Sequence, residues 1–206
     1  MKDLKTIWDE LISKYTDNVG LSNVLWEEIE ENYTDRKRHY HNLTHLKYMT
    51  DKAMEYQDSL TDLDTVLFSI FYHDIIYIPI QRDNEQKSAE MAHEQLTRLG
   101  IPNDKVARCQ QQIIATKEHQ YSSDNDTNYL VDMDLAILGE SPEIYKDYTR
   151  KIRKEYAVYP DFMYNKGRKK VLQHFLDMGI IFKTVAFRDI YEQQARENLN
   201  TELQEL

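Results

Sequence analysis

The sequence has one cysteine, Cys109, five glycines and four prolines in 206 residues. A lone thiol excludes an intrachain disulfide framework and any zinc site built from several cysteines. Glycine and proline together make up about 4% of the chain, against roughly 12% in average usage. Sandwiches and barrels need more turn residues than that. Positive charge is also short, with 26 basic against 36 acidic side chains and a net charge of −10. A dedicated nucleic-acid binder would have to neutralise phosphate against that field, so no nucleic-acid partner is expected. Long apolar runs are missing too. The greasiest stretch, Thr65 to Ile80, covers 16 residues with His73-Asp74 in its middle, short of the roughly 20 that a membrane helix needs. No membrane partner is expected. Met1 to Leu11 has amphipathic-helix spacing and lacks a signal peptide's apolar centre, which favours a cytoplasmic protein.

What remains is enough to build a core. Hydrophobic residues are 41% of the chain and 23 residues are aromatic, a composition unlike that of disordered chains. Helix punctuation is frequent. Asp62 or Asp64 is placed to cap a buried helix, and an amphipathic segment from Asn84 to Leu99 stops at Gly100. Pro102 opens a helix to about Lys117, and a polar loop leads to another over Tyr129 to Leu138, closed by Gly139. Ser141-Pro142-Glu143 reads as N-cap, N1 proline and dipole-matched acid of a helix ending near Pro160. Two more follow, at about Met163 to Met178 and from Thr184 onward. Strand-like alternation never lasts, and no repeat or flexible linker is visible. The economical reading is a single all-α domain over 1–206.

Charged residues stand out within the apolar segments. His73 and Asp74 lie between Val66–Tyr72 and Ile75–Ile78, where an unsatisfied polar group costs about 1–3 kcal/mol and an ion more. A metal ion would satisfy both side chains, through imidazole nitrogen and carboxylate oxygen. On a helix, Asp134 has Leu130, Val131, Ile137 and Leu138 as its neighbours, whereas Asp132 has the more polar Asn128 and Tyr129. Residues two apart point about 200° away from each other, so only one faces a common centre, and Asp134 is preferred. His41 and His45 are one turn apart, and His45 begins the pattern Leu46, Met49, Ala53. The expected site is His45, His73, Asp74 and Asp134 on three helices.

This ordered pattern resembles the HD-domain superfamily of metal-dependent phosphohydrolases. Arg38-x-Tyr40-His41-Asn42-x-x-His45, Tyr72-His73-Asp74-Ile75-Ile76-Tyr77, Asn84-Glu85-x-x-Ser88-Ala89 and Asp132-x-Asp134-Leu135-Ala136-Ile137-Leu138-Gly139 are similar to a branch of small bacterial predicted HD phosphohydrolases. The resemblance implies a helical bundle of HD type, with the metal-site core at about 38–140 and a helical extension at about 141–206. It also implies that His45, His73, Asp74 and Asp134 are metal ligands, with Asp132 the alternative for the last position. One or two divalent ions are implied, drawn from Mn, Fe, Co, Ni, Zn or Mg. The implied reaction is hydrolysis of a small-molecule phosphate ester, a nucleotide being one candidate, by a metal-activated water. Asp74, Glu85 and His119 are then the catalytic candidates. Arg38, His41, Lys87 and Lys117 are the candidates for substrate binding.

Two other readings stay open: a non-catalytic, metal-stabilised helical binding protein, and an HD-type diiron oxygenase. Oligomeric state is not legible. The basic runs at Arg36–Arg38, Lys151–Lys154 and Lys166–Lys170 are read as solvated helix faces because acids interleave with them. Arg38 is excepted as part of a motif.

Overall fold

A computed structural model describes residues 2–206, and among these residues there are helices and no strand. The chain divides into two compact units, one running through Leu130 and the other Val131–Leu206. The first holds α1 (Leu4–Ile12), α2 (Val19–Tyr33), α3 (Leu43–Glu55), α4 (Leu63–Tyr72), α5 (Asn84–Arg98) and α6 (Asn103–Ala115). Helix α7 (Asn125–Leu135) carries the chain from one unit into the other, and the second unit continues with α8 (Pro142–Glu155), α9 (Asp161–Asp177) and α10 (Val185–Glu205).

Helix α4 is the centre of the first unit. Every residue from Thr65 to Tyr72 is buried, as expected for a helix apolar on all sides, and α3, α5 and α6 pack around it. Phe71 meets Trp8 edge-on at 5.3 Å and Trp26 at 6.3 Å between centroids, anchoring the two N-terminal helices by aromatic packing. The Trp8 indole N–H donates to Ser22, so this large side chain is buried without an orphaned polar atom. Of the two candidate caps, Asp62 is the N-cap, accepting from the Thr65 amide. Asp64 instead pairs with Lys14 and accepts from the Tyr15 hydroxyl.

The chain passes from the first unit to the second inside α7, and two buried aspartates anchor that helix. Asp126 accepts from the Thr61 and Asp62 amides and from Arg108. Asp132 accepts from the Lys183 and Thr184 amides and the Thr184 hydroxyl. One end of α7 is therefore bonded into each unit. The helix also begins earlier than the polar loop suggested, because Asp124 accepts from the Thr127 amide and hydroxyl, an N-terminal capping interaction.

In the second unit α10 packs against α9 and the 3-10 turn at 136–139. Asn198 donates to the carbonyls of Leu138 and Glu140. Arg168 of α9 makes a bidentate, buried pair with Glu202 of α10 at 2.7 and 2.9 Å. Tyr145 of α8 donates to the same carboxylate. Gly139 is required by close approach: a Cβ there would lie 2.5 Å from the Tyr191 carbonyl oxygen and 2.8 Å from its Cα.

Gly139→Ala is expected to lower stability by about 1–3 kcal/mol in urea denaturation, because backbone rather than a side-chain tip must move. A second expectation concerns acid. Burial raises the Asp124 pKa, but Arg108 and Thr127 overcome that and hold it at about 2. An unfolded aspartate titrates near 3.9, so this stabilisation is complete above about pH 4 and is lost as the pH falls toward 2. Urea midpoints measured across that range should fall less steeply for Asp124→Asn.

Candidate metal centre

The structure places His73 and Asp74 at the end of a helix rather than inside one. Helix α4 stops at Tyr72, His73 is its C-cap, and the apolar Ile75–Ile78 that follows is not helical. A partly buried segment outside regular structure needs partners for its amides and carbonyls; the Ile75 amide donates to the Tyr72 carbonyl, and most of the other partners are side chains. The Asp74 amide donates to the Tyr33 hydroxyl at 3.1 Å. Arg38 donates to the carbonyls of Asp74 at 2.6 Å and Ile75 at 2.8 Å. The Ser88 hydroxyl accepts from the Ile76 amide and donates to the Ile76 carbonyl. The Asn84 amide group does both for Ile78. Asn84 and Ser88, which stood in a sequence motif without an assigned task, therefore hold the segment after His-Asp.

On this frame three candidate ligands converge. His45, on the first turn of α3, brings its Nε2 to 3.2 Å from Nε2 of His73. Asp74 Oδ2 is also 3.2 Å from His73 Nε2. One donor atom from each of His45, His73 and Asp74 lies within 4.8 Å of the others. His73 Nδ1 is 2.8 Å from the Ile70 carbonyl. Only the ring can supply the hydrogen there, so in the neutral ring Nε2 bears the lone pair. Atoms bound to one ion at about 2.1 Å are roughly 3.0–3.4 Å apart, so the spacing and the nitrogen–oxygen donor set both fit a divalent cation. The two histidines are buried, while Asp74 retains 16% side-chain exposure.

His41 borders this group. Its Nε2 is 4.0 Å from Asp74 Oδ2, and its ring stacks on Tyr77 at 4.1 Å. Tyr40 packs on the rings of both His41 and His45. Among the described residues, Glu85 and His119 do not join the three-residue group. Glu85 is half-buried in the first turn of α5, and His119 follows α6 with φ of 48°, in the left-handed region where histidine is tolerated.

The three cations expected to bind phosphate make hydrogen bonds within the protein. The Arg38 guanidinium is turned onto carbonyls, His41's included, and lies over the Tyr33 ring at 4.9 Å. Lys87 bonds Gln81 and Asp83, and Lys117 bonds the Arg82 carbonyl. All three hold backbone or loop after the His-Asp pair, a need that sequence spacing does not display. Tyr33 carried no sequence signal, since nothing local distinguishes it from a packing tyrosine on α2.

Asp132 and Asp134 of α7 lie in the second unit. Asp132, expected in the more polar setting, is fully buried, and Asp134, expected on the apolar face, is half-buried. The reason is that Asp132 serves as a buried acceptor for the start of α10. Burial raises its pKa to about 6, against the opposing effect of the Lys183 and Thr184 hydrogen bonds. Both of its oxygens are thereby occupied. Cys109 is buried, which pushes its thiol up to about 12 and makes it inert.

Comparisons with protein-family models, with curated proteins and with solved structures find no match for this chain.

Arg38→Ala is expected to cost about 2–3 kcal/mol, because it strips a charged donor from buried carbonyls. Arg38→Lys should recover less than half of this, a point charge being unable to bridge two carbonyls. Chemical denaturation with far-UV circular dichroism distinguishes these outcomes from a loss of helix.

Proposed function

We propose that the protein is a metal-dependent phosphohydrolase of the HD type, acting on a small-molecule phosphate ester. The observation that carries this reading is the convergence of His45 Nε2, His73 Nε2 and Asp74 Oδ2, in the order and spacing of the HD pattern. His45, His73 and Asp74 would hold a divalent cation, and the sequence resemblance adds Asp134 as a further ligand. When bound, such an ion supplies Lewis acidity and a water acidic enough to ionise near neutral pH.

The chain's own groups have distinct tasks in this reading. His73 is kept a lone-pair donor by the Ile70 carbonyl. Asp74 is the member of the group most open to solvent, and it orients the attacking water through its carboxylate. His41, next to Asp74 and stacked on Tyr77, donates a proton or hydrogen bond to the ester oxygen. Because Arg38, Lys87 and Lys117 are engaged by carbonyls and loop side chains, His41 is the better candidate for contact with substrate. Glu85 and His119 are assigned to proton transfer by the resemblance alone.

Purified protein is expected to contain stoichiometric divalent metal by elemental analysis and to hydrolyse members of a phosphomonoester and nucleotide panel. His73→Ala and Asp74→Ala should lose both properties. His41→Ala should keep the metal while kcat falls by about 10²–10⁴. Folded His73→Ala and Asp74→Ala proteins that retain stoichiometric metal would overturn the assignment.

A further inference from the structure

The charge of this chain is unevenly distributed. Residues 146–170 carry nine basic and three acidic side chains, a net +6, while the other 181 residues carry 17 against 33, a net −16. This stretch covers most of α8, the turn after it and the first part of α9. The two helices run antiparallel, since Tyr148 faces Arg168 and Tyr156 faces Tyr164. Arg153 ties the turn by donating to the carbonyls of Tyr156 and Tyr159 and to Asp161.

Three of the nine cations are accounted for inside the unit: Lys151 pairs with Asp147, Arg153 with Asp161 and Arg168 with Glu202. The other six, Lys146, Arg150, Lys154, Lys166, Lys169 and Lys170, are exposed and make no ion pair among the described residues. Their spacing is regular. Lys146, Arg150 and Lys154 follow one another at i, i+4 and i+8, opposite the buried Tyr145 and Ile152. On α9 the buried stripe is Tyr164, Arg168 and Leu172, and Lys166, Lys169 and Lys170 lie on the opposite side. The turn between the helices and the first turn of α9 present large apolar side chains to solvent: Val158 is 67% exposed, Phe162 75% and Met163 48%. Phe162 precedes Lys166 by one turn and therefore shares its face.

We propose that the α8–α9 pair is a peripheral docking surface for an anionic lipid bilayer, with Val158, Phe162 and Met163 entering the headgroup boundary and the six cations lying over acidic headgroups. Unpaired like charges on adjacent helices repel one another, and a negatively charged surface relieves that repulsion. A polyanion without an apolar phase would satisfy the lysines but leave the phenyl, isopropyl and thioether groups in water, and this favours a bilayer over nucleic acid. The absence of any helix long and apolar enough to span a membrane is compatible with contact from one side. This surface belongs to the second unit and does not depend on the proposed hydrolase activity.

The test is co-sedimentation of the full chain with phosphatidylcholine vesicles, with and without phosphatidylserine, at low and physiological salt. The wild type should partition only onto vesicles that contain phosphatidylserine, and more weakly as salt rises. The triple variant Lys166→Glu, Lys169→Glu, Lys170→Glu should lose about tenfold or more of that partitioning. Phe162→Ser should weaken binding at physiological salt, where screening exposes the apolar contribution. Thermal melts confirm that both variants, altered only at exposed positions, remain folded. Failure of the wild type to bind phosphatidylserine vesicles would overturn the proposal. So would equal binding by the variants, or lysine-dependent binding to an RNA or DNA oligomer in place of vesicles.

Discussion

The first unit depends on how a buried helix ends. Once α4 stops at Tyr72, the chain continues through a partly buried stretch without its own hydrogen-bond ladder, and unpaired buried amides and carbonyls would each cost about 1–3 kcal/mol. Residues distant in sequence, Tyr33, Arg38, Asn84 and Ser88, take over that bonding. They come from α2, the loop before α3, and α5, so the elements around α4 are fixed relative to His73 and Asp74 by the same bonds. Local irregularity and precise placement of the candidate ligands thus have one cause.

That arrangement changes the electrostatic reading of the site. Arginine and lysine near a suspected phosphate site invite assignment as anion receptors. Here Arg38, Lys87 and Lys117 neutralise backbone dipoles and loop side chains instead. In the proposed reading, a phosphate ester would then meet positive charge mainly from an ion held by His45, His73 and Asp74.

Much of the architecture was legible in the sequence because helix signals are local. Asp62, Gly100 and Pro142 mark helix ends in the structure as they do in the sequence. The His45, His73 and Asp74 group was legible for a related reason, since charge inside an apolar run demands a partner wherever the chain folds. The end of α4 was not legible, because the apolar run continues through Ile78 and hydropathy does not distinguish a helix from an irregular, partly buried segment. The relative burial of Asp132 and Asp134 was hidden for another reason: it depends on the Lys183 and Thr184 amides, 51 and 52 residues away. Neighbours at three and four positions could not reveal that.

The carbonyl of Ile70 illustrates how far a helix end can reach into chemistry. Had α4 continued for one more turn, the Asp74 amide would have closed onto that oxygen in the ordinary i to i−4 manner. Instead the Asp74 amide is held by Tyr33, and the Ile70 carbonyl accepts from the His73 ring. An imidazole whose N–H is polarised by a carbonyl at the negative end of a helix is a more basic, more electron-rich donor at its other nitrogen. The stopping point of one helix therefore sets the Lewis basicity of its capping residue, and the length of α4 becomes an electronic variable of the site.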